Sequence, residues 1–282
     1  NNGLTSDGKI GDATVNALSE SSLARSLRGA IALDRLRQRN DTLEKYIRIN
    51  IPSFELFYFA SDTLRSHHRI ILGKVSNQTP TLQSKINRII CYPFWKVPSS
   101  IAQKEVLPAL KANRNYLTRN HMKIFKAKEV EVNPDKINWK KIKDNTFPYT
   151  VIQQPGPDNS LGIIKFEFPN LFSVYVHDTP SKGLFNQSYR SYSHGCMRCE
   201  RPVELAKVML QYDSLGKKGN PMTGDSLDSL LSLQINHPLR LLSPVPIFVE
   251  YQTVVADRQG IYFHHDLYSR ETSLVKILLY SK

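Results

Sequence analysis

The stretch "SYSHGCMRCERP", Ser191 to Pro202, holds two of the chain's three cysteines, one histidine and two arginines. Three chemistries are open to that set. Cys196, Cys199, His194 and the more distant His177 are all permissible zinc ligands, but a structural zinc site usually brings two short ligand pairs and only one is present. A redox Cys-x-x-Cys opens a helix after a strand and sits in alternating strand–helix order; a helix does follow, yet the surroundings read as β-rich. A nucleophile fits better. Gly195 lets the chain bend so that consecutive N–H groups around Gly195 and Cys196 face a reacting carbonyl and hold its oxyanion. His177 can act as general base and keep the thiol as thiolate. Asp178 can orient that imidazole through its side chain or its backbone carbonyl. Arg198 can bind a substrate carboxylate in a two-toothed fork.

These groups must be carried by particular elements. "LFSVYVHDTP" reads as a strand ending at His177-Asp178, and Tyr175, two residues earlier, faces the same side. A loop over Thr179–Tyr192 leads to the motif. "RPVELAKVMLQYDSLGKK" reads as a helix with Pro202 near its start and Lys217 and Lys218 at its end. Upstream, "YIRINIPSFELFYFA", "HHRIILGKVSNQT" and "NRIICYPFWKVPSS" read as strands, with His67 and His68 as surface residues. Residues 99 to 145 are basic and begin as a helix that Ser99 or Ser100 could cap; they read as an insertion packed on the sheet, with Tyr116, His121 and Trp139 as packing residues. "GDSLDSLLSLQI" reads as a short helix, and "VPIFVEYQTVVADRQGIYFHHDLY" as a closing hairpin that turns near Asp257–Gly260. Near the start, Asp12 is a plausible N-cap. Leu23 to Leu43 has amphipathic spacing, with Arg25, Arg28, Arg35, Arg37 and Arg39 on a face expected to be solvated.

The chain has 282 residues, 40% of them hydrophobic, enough for one large or two smaller globular units. No apolar run reaches bilayer-spanning length. A net charge of +13 suits polyanionic partners. No helix–turn–helix, zinc-finger spacing or RNA-binding aromatic signature is present, so nucleic acid is not the expected partner. Cys91, Cys196 and Cys199 are odd in number, which argues against a fully paired disulfide framework. Cys199 reads as a buried apolar cysteine; whether Cys91 can pair with it depends on geometry.

The string "HDTPSKGLFNQSYRSYSHGCMR" resembles the signature of the L,D-transpeptidases (YkuD-type catalytic domain): a His, a gap, then Ser-His-Gly-Cys-x-Arg or Asn. The segments "LGKVSNQTPTLQSKI", "PFWKVPSSIAQKEVLP" and "PGPDNSLGIIKFEFPN" resemble the large periplasmic branch of that family, and "GLTSDGKIGDATVNAL" resembles the tail of a peptidoglycan-binding domain. The resemblance implies a β-rich α+β fold. Residues 1–18 would be the binding-domain remnant, 19–45 a helical linker and 46–282 a sandwich-like catalytic domain, with a helical capping insertion at about 99–145. It implies Cys196 as nucleophile and His177 as base, with Gly195 at the oxyanion site. Asp178 would be a third member, and His194, Arg198 and Tyr175 would shape the pocket or touch substrate. It further implies peptidoglycan stem peptides as partner, a carbapenem adduct at Cys196, a lipoprotein lysine as acceptor in some relatives, no metal or organic cofactor, and a periplasmic or cell-envelope location. The family motif gives Cys199 no role.

Overall fold

A computed structural model describes residues 8–37, 43–143, 146–214 and 222–280. Two helices come first, α1 (Asp12–Ser19) and α2 (Ser22–Arg37). Strands β1 (Lys45–Asn50), β2 (Glu55–Ala60), β3 (Thr63–Gly73), β4 (Leu82–Cys91) and β5 (Trp95–Lys96) follow. Next are α3 (Ser99–Ile101), a π-helical turn over Ala102–Val106, α4 (Leu107–Ala112), α5 (Tyr116–Arg119), β6 (Met122–Phe125) and β7 (Thr150–Gln153). The chain continues through β8 (Ile164–Glu167), β9 (Val176–His177), β10 (Ser191–Ser193), β11 (Met197–Cys199), α6 (Pro202–Gln211) and α7 (Gly224–Ser232). It closes with β12 (His237–Glu250), β13 (Val254–Asp257), β14 (Gly260–Phe263) and α8 (Arg270–Tyr280).

Nine strands form one sheet in the order β10-β3-β11-β9-β8-β4-β12-β1-β2, and β2 also pairs with β3. The pairing from β3 through β2 therefore returns on itself, leaving β10 as the strand with one partner and few edge groups to protect. Inward residues alternate along the strands, as in β2, where Leu56, Tyr58 and Ala60 are fully buried between half-buried neighbours. They meet Ile47, Ile70, Ile89, Phe166, Val176, Met197 and Ile247 in one core, which α6 covers with Leu205, Ala206 and Met209. The long strand β12 carries Pro238, Pro244 and Pro246, and its pairing with β4 shifts register between Arg240 and Val245. Of the three, Pro244 lies in that shift, where a strand tolerates a residue that cannot donate to the ladder.

The segment expected to be a helical insertion is mixed. Strands β5, β7 and β6 make a separate three-stranded sheet. That sheet packs with α3–α5 around its own core of Val106, Leu107, Leu110, Leu117, Ile124, Trp139 and Val151.

Several local expectations are corrected. Gly11, not Asp12, is the N-cap of α1, and Pro98, rather than Ser99 or Ser100, precedes α3; neither helix has a side-chain cap bond. Helix α2 ends at Arg37, and Arg39 lies outside the described residues, as do Lys217 and Lys218 beyond α6. The closing hairpin forms as β13–β14, but α8 follows it. The arginines of α2 are not simply solvated. Arg28 donates to Thr253 Oγ1 at 3.0 Å and to the His264 carbonyl at 2.6 Å, and Arg35 bonds the Tyr251 carbonyl and the fully buried Glu271. Charge pairing thus docks α2 onto α8 and the β13 turn, because buried Glu271 requires a cation beside it. His68 is fully buried too, on the inward face of β3.

Candidate active site

The end of β9, the turn before β11 and the second small sheet bound one cavity of about 410 Å³. Tyr175, His177, Ser193, His194, Cys196 and Arg198 line it on the side of the main sheet. Glu105, Tyr116 and Met122 line it on the other. Of the residues singled out for the site in the sequence, Tyr175, His177, His194 and Arg198 share the cavity with Cys196, while Asp178 and Gly195 do not line it.

Strand register explains the grouping. Lys165 of β8 pairs with His177 of β9, and His177 pairs with Arg198 of β11, so the three lie in one row across the sheet. Burial, then the Arg198 charge and more weakly Lys165, pushes the His177 imidazole down to about 3; only its bond to the Asp178 backbone opposes this. His177 is 4% exposed. Its Nδ1 lies 2.5 Å from the Asp178 carbonyl oxygen, so Nδ1–H donates there and Nε2 is left as the basic nitrogen. The Asp178 carboxylate faces elsewhere: Oδ2 accepts from the Ile163 amide at 3.1 Å, and Oδ1 pairs with Lys182. Between the two routes the sequence left open, the backbone carbonyl orients the ring. The carboxylate pins the loop at Gly162, where φ is +60° and an added Cβ would fall 2.3 Å from Oδ2.

The turn carrying Cys196 is set by hidden hydroxyls. Gly195 has φ +114°. Its amide donates to Ser193 Oγ at 3.1 Å, and that hydroxyl donates to the Cys196 carbonyl at 2.6 Å. The Gly195 amide is therefore engaged by Ser193. The Cys196 amide makes no hydrogen bond among the described residues. Behind the turn, Thr79 Oγ1 donates to the Gly195 carbonyl and accepts from the Gly73 amide, both at 2.9 Å. Tyr268 Oη donates to the Gly73 carbonyl at 2.7 Å. Gly73 is obligatory for steric reasons, since a Cβ there would meet the Asn77 carbonyl oxygen at 2.0 Å.

Burial raises the Cys196 thiol above its usual value, against the lowering effects of the Tyr175 backbone and hydroxyl, Lys165 and Arg198. Burial thus disfavours the charged form of both partners. Tyr175 is raised by burial and by its bond to Cys196, and its ring packs edge-on to His177 at 5.5 Å. Burial lowers Arg198, and its Nε has no hydrogen-bond partner among the described residues. Such a desolvated, unsatisfied donor on a cavity wall is suited to an incoming carboxylate. His194 reaches across the cavity, with Nε2 2.6 Å from Glu105 Oε1 on the π-helical turn.

All three cysteines are free. Cys91 and Cys199 are fully buried, and burial pushes them up to about 11 and about 12. Neither lines the cavity. Among the described residues, no cluster of His, Cys, Asp and Glu could hold a metal ion. Sequence reasoning passed over Lys165, Thr79, Tyr268 and Glu105, which reach the site from distant segments with no local pattern to mark them. Ser193 stood inside the motif without a recognised task.

The family model of the L,D-transpeptidase catalytic domain matches residues 44–223. A curated Haemophilus influenzae protein with a provisional L,D-transpeptidase assignment is 33% identical over 260 residues, covering 92% of this chain and 51% of that protein. The chain thus spans about half the length of this relative. Among solved structures, an L,D-transpeptidase from Mycobacterium smegmatis aligns with 73% of this chain and 58% of its own at 13% identity, with a TM-score of 0.35. The Ldtfm–avibactam carbamoyl enzyme aligns with 74% and 49% at 10% identity, also with a TM-score of 0.35.

Proposed function

Since the chain belongs to the L,D-transpeptidase family, we propose that it cross-links peptidoglycan stems through a thioester on Cys196. The observation that carries this reading is the shared cavity of Cys196 and His177, with the His177 Nδ1–H committed to the Asp178 carbonyl. In the first half-reaction, the Cys196 sulfur attacks the carbonyl of the third, diamino-acid residue of a tetrapeptide stem. His177 Nε2 takes the thiol proton, and the Cys196 amide donates to the oxyanion. His177 then protonates the departing D-Ala amine as the thioester forms. In the second half-reaction, an amine on the diamino acid of a neighbouring stem attacks the thioester, His177 takes the amine proton and returns it to the departing Cys196 sulfur, and a 3→3 link and the free thiol result. Arg198 binds a stem carboxylate through its unpartnered Nε. Tyr175 donates to the Cys196 sulfur and holds it in place. The unit carrying Glu105 and Tyr116 covers the cavity and limits water, which favours the amine over hydrolysis. This reading places the protein in the cell envelope, where the substrate is.

Mass spectrometry of products from purified disaccharide-tetrapeptide tests it, with Cys196→Ala as control. The expected product is a Cys196-dependent dimer that has lost one D-Ala. A tripeptide alone would mean that water is the acceptor. A stoichiometric thioester without turnover would mean an acceptor other than a stem, such as a protein lysine. No adduct and no product would overturn the catalytic reading. A labelled carbapenem is expected to acylate Cys196, and equal labelling of Cys196→Ala would remove that residue from the role.

A further inference from the structure

Three further concavities adjoin the active cavity in succession. The first shares Ser173, Val174 and Tyr175 with it and reaches Asn87 and Pro169. The second shares Asn87 and Pro169 with the first and reaches Gln83 and Phe248. The third shares Gln83 and Phe248 with the second and ends among Arg35, Arg48, Arg270 and Gln252. Their volumes are about 380, 630 and 560 Å³.

Register shows why they line up. Arg48 of β1 pairs with Phe248 of β12, and Phe248 pairs with Gln83 of β4; one step along, Pro246 pairs with Lys85. Ile247 and Val249 between them point into the core, so these side chains share the outer face of the sheet. From Gln83 to Asn87 the floor runs four residues along β4, about 13 Å, which is longer than one amino acid.

The lining has a consistent chemistry. Five cations (Arg48, Lys85, Arg88, Lys165 and Arg270) stand against two carboxylates, Glu167 and Glu250, while Arg35 beside them is paired with the buried Glu271. Phe248, Pro169, Pro244 and Pro246 give it flat apolar surfaces. Two buried acceptors have no partner among the described residues: Asn87 Oδ1, and Oε1 of Gln252, a residue only 5% exposed. A buried acceptor left unsatisfied costs stability unless a donor arrives. The occupant should therefore be acidic, supply hydroxyl or amide donors, present flat ring faces and extend over several units.

We infer that this groove holds the peptide-bearing glycan strand of the polymer whose stem enters the active cavity. Stem carboxylates meet the arginines, and sugar rings lie on Phe248 and the prolines. The inference rests on the peptidoglycan reading above, but its test does not depend on turnover. The probe is insoluble peptidoglycan polymer in a sedimentation assay with the Cys196→Ala chain, which excludes acyl transfer. Lys85→Glu reverses one exposed groove charge, and Lys207→Glu reverses one on α6, where Lys207 pairs with Asp228, away from the groove. Lys85→Glu is expected to weaken polymer binding about tenfold at low salt, and Lys207→Glu to leave it within about twofold. Equal affinity in Lys85→Glu and parent, or equal loss in both variants, would overturn the groove. Failure of the peptidoglycan reading has a different signature: neither product nor adduct from disaccharide-tetrapeptide in the wild-type chain, whatever the binding assay returns.

Discussion

Asp178 follows the proposed base in sequence, yet its carboxylate is spent on Lys182 and the Ile163 amide while its carbonyl holds His177. Asp178→Asn keeps that carbonyl, so kcat should fall less than about tenfold, against about 10⁴ where a carboxylate side chain orients the base. A steady-state comparison decides; a loss near 10⁴ would return the role to the side chain. The thiol's protonation is testable separately. With Cys196 raised by burial and His177 pushed down to about 3, no thiolate–imidazolium plateau should exist near neutrality. Alkylation of Cys196 by iodoacetamide should climb steadily with pH through 9 and beyond, in line with a thiol whose usual value of about 8.5 has moved up. A flat rate between pH 5 and 8 would show a preformed ion pair.

At the scale of elements, helix α2 was legible from its apolar spacing, but its use was not. The residues that explain it, Thr253, His264 and Glu271, lie more than 200 positions away. Glu271 has no exposed side-chain surface and sits between Arg35 and Arg28, the latter at 3.9 Å. Arg35→Ala should destabilise the protein by about 3 kcal/mol, the lower end of what a broken buried pair costs, because Arg28 remains. Urea denaturation measures this, and a change under about 0.5 kcal/mol would mean that the helix docks by other contacts. The β-strands were the easiest elements to anticipate, since alternation is local. Strand β12 was partly hidden by its prolines, and β6 by the basic helical composition around it.

For the whole molecule, buried histidines are expected to set the acid limit. His68 is lowered to about 4, first by burial and then by the charges of Arg201 and His67. Like His177, it is depressed below its unfolded value of 6.5. Stability from both groups is therefore complete above pH 6.5 and is lost as pH falls through 4 and toward 3, where the unfolded chain has already bound the protons. For His68 alone the depression from 6.5 to about 4 corresponds to about 3 kcal/mol. The melting temperature should fall steeply between pH 6.5 and 4, and His68→Leu should flatten that slope. An unchanged slope would place the acid sensitivity elsewhere. His68 was expected at the surface because two adjacent histidines look polar. Strand alternation instead buries it and leaves His67 half exposed.

The sequence by itself determined the nucleophile candidate, its base, the forked cation two residues on, and the glycine between, because a motif of this kind is local and each residue type has few chemical uses. It also determined the β-rich class, through side-chain alternation. Only tertiary structure decided which atom orients His177, which amide near Cys196 remains free, and that Thr79 and Tyr268 brace the turn from behind. Those choices depend on hydrogen bonds between segments far apart in the chain, and nothing local in sequence encodes which partner a buried hydroxyl will find. The electrostatic surroundings of Cys196 and His177 were decided there too, since burial and the row of Lys165, His177 and Arg198 exist only once β8, β9 and β11 pair.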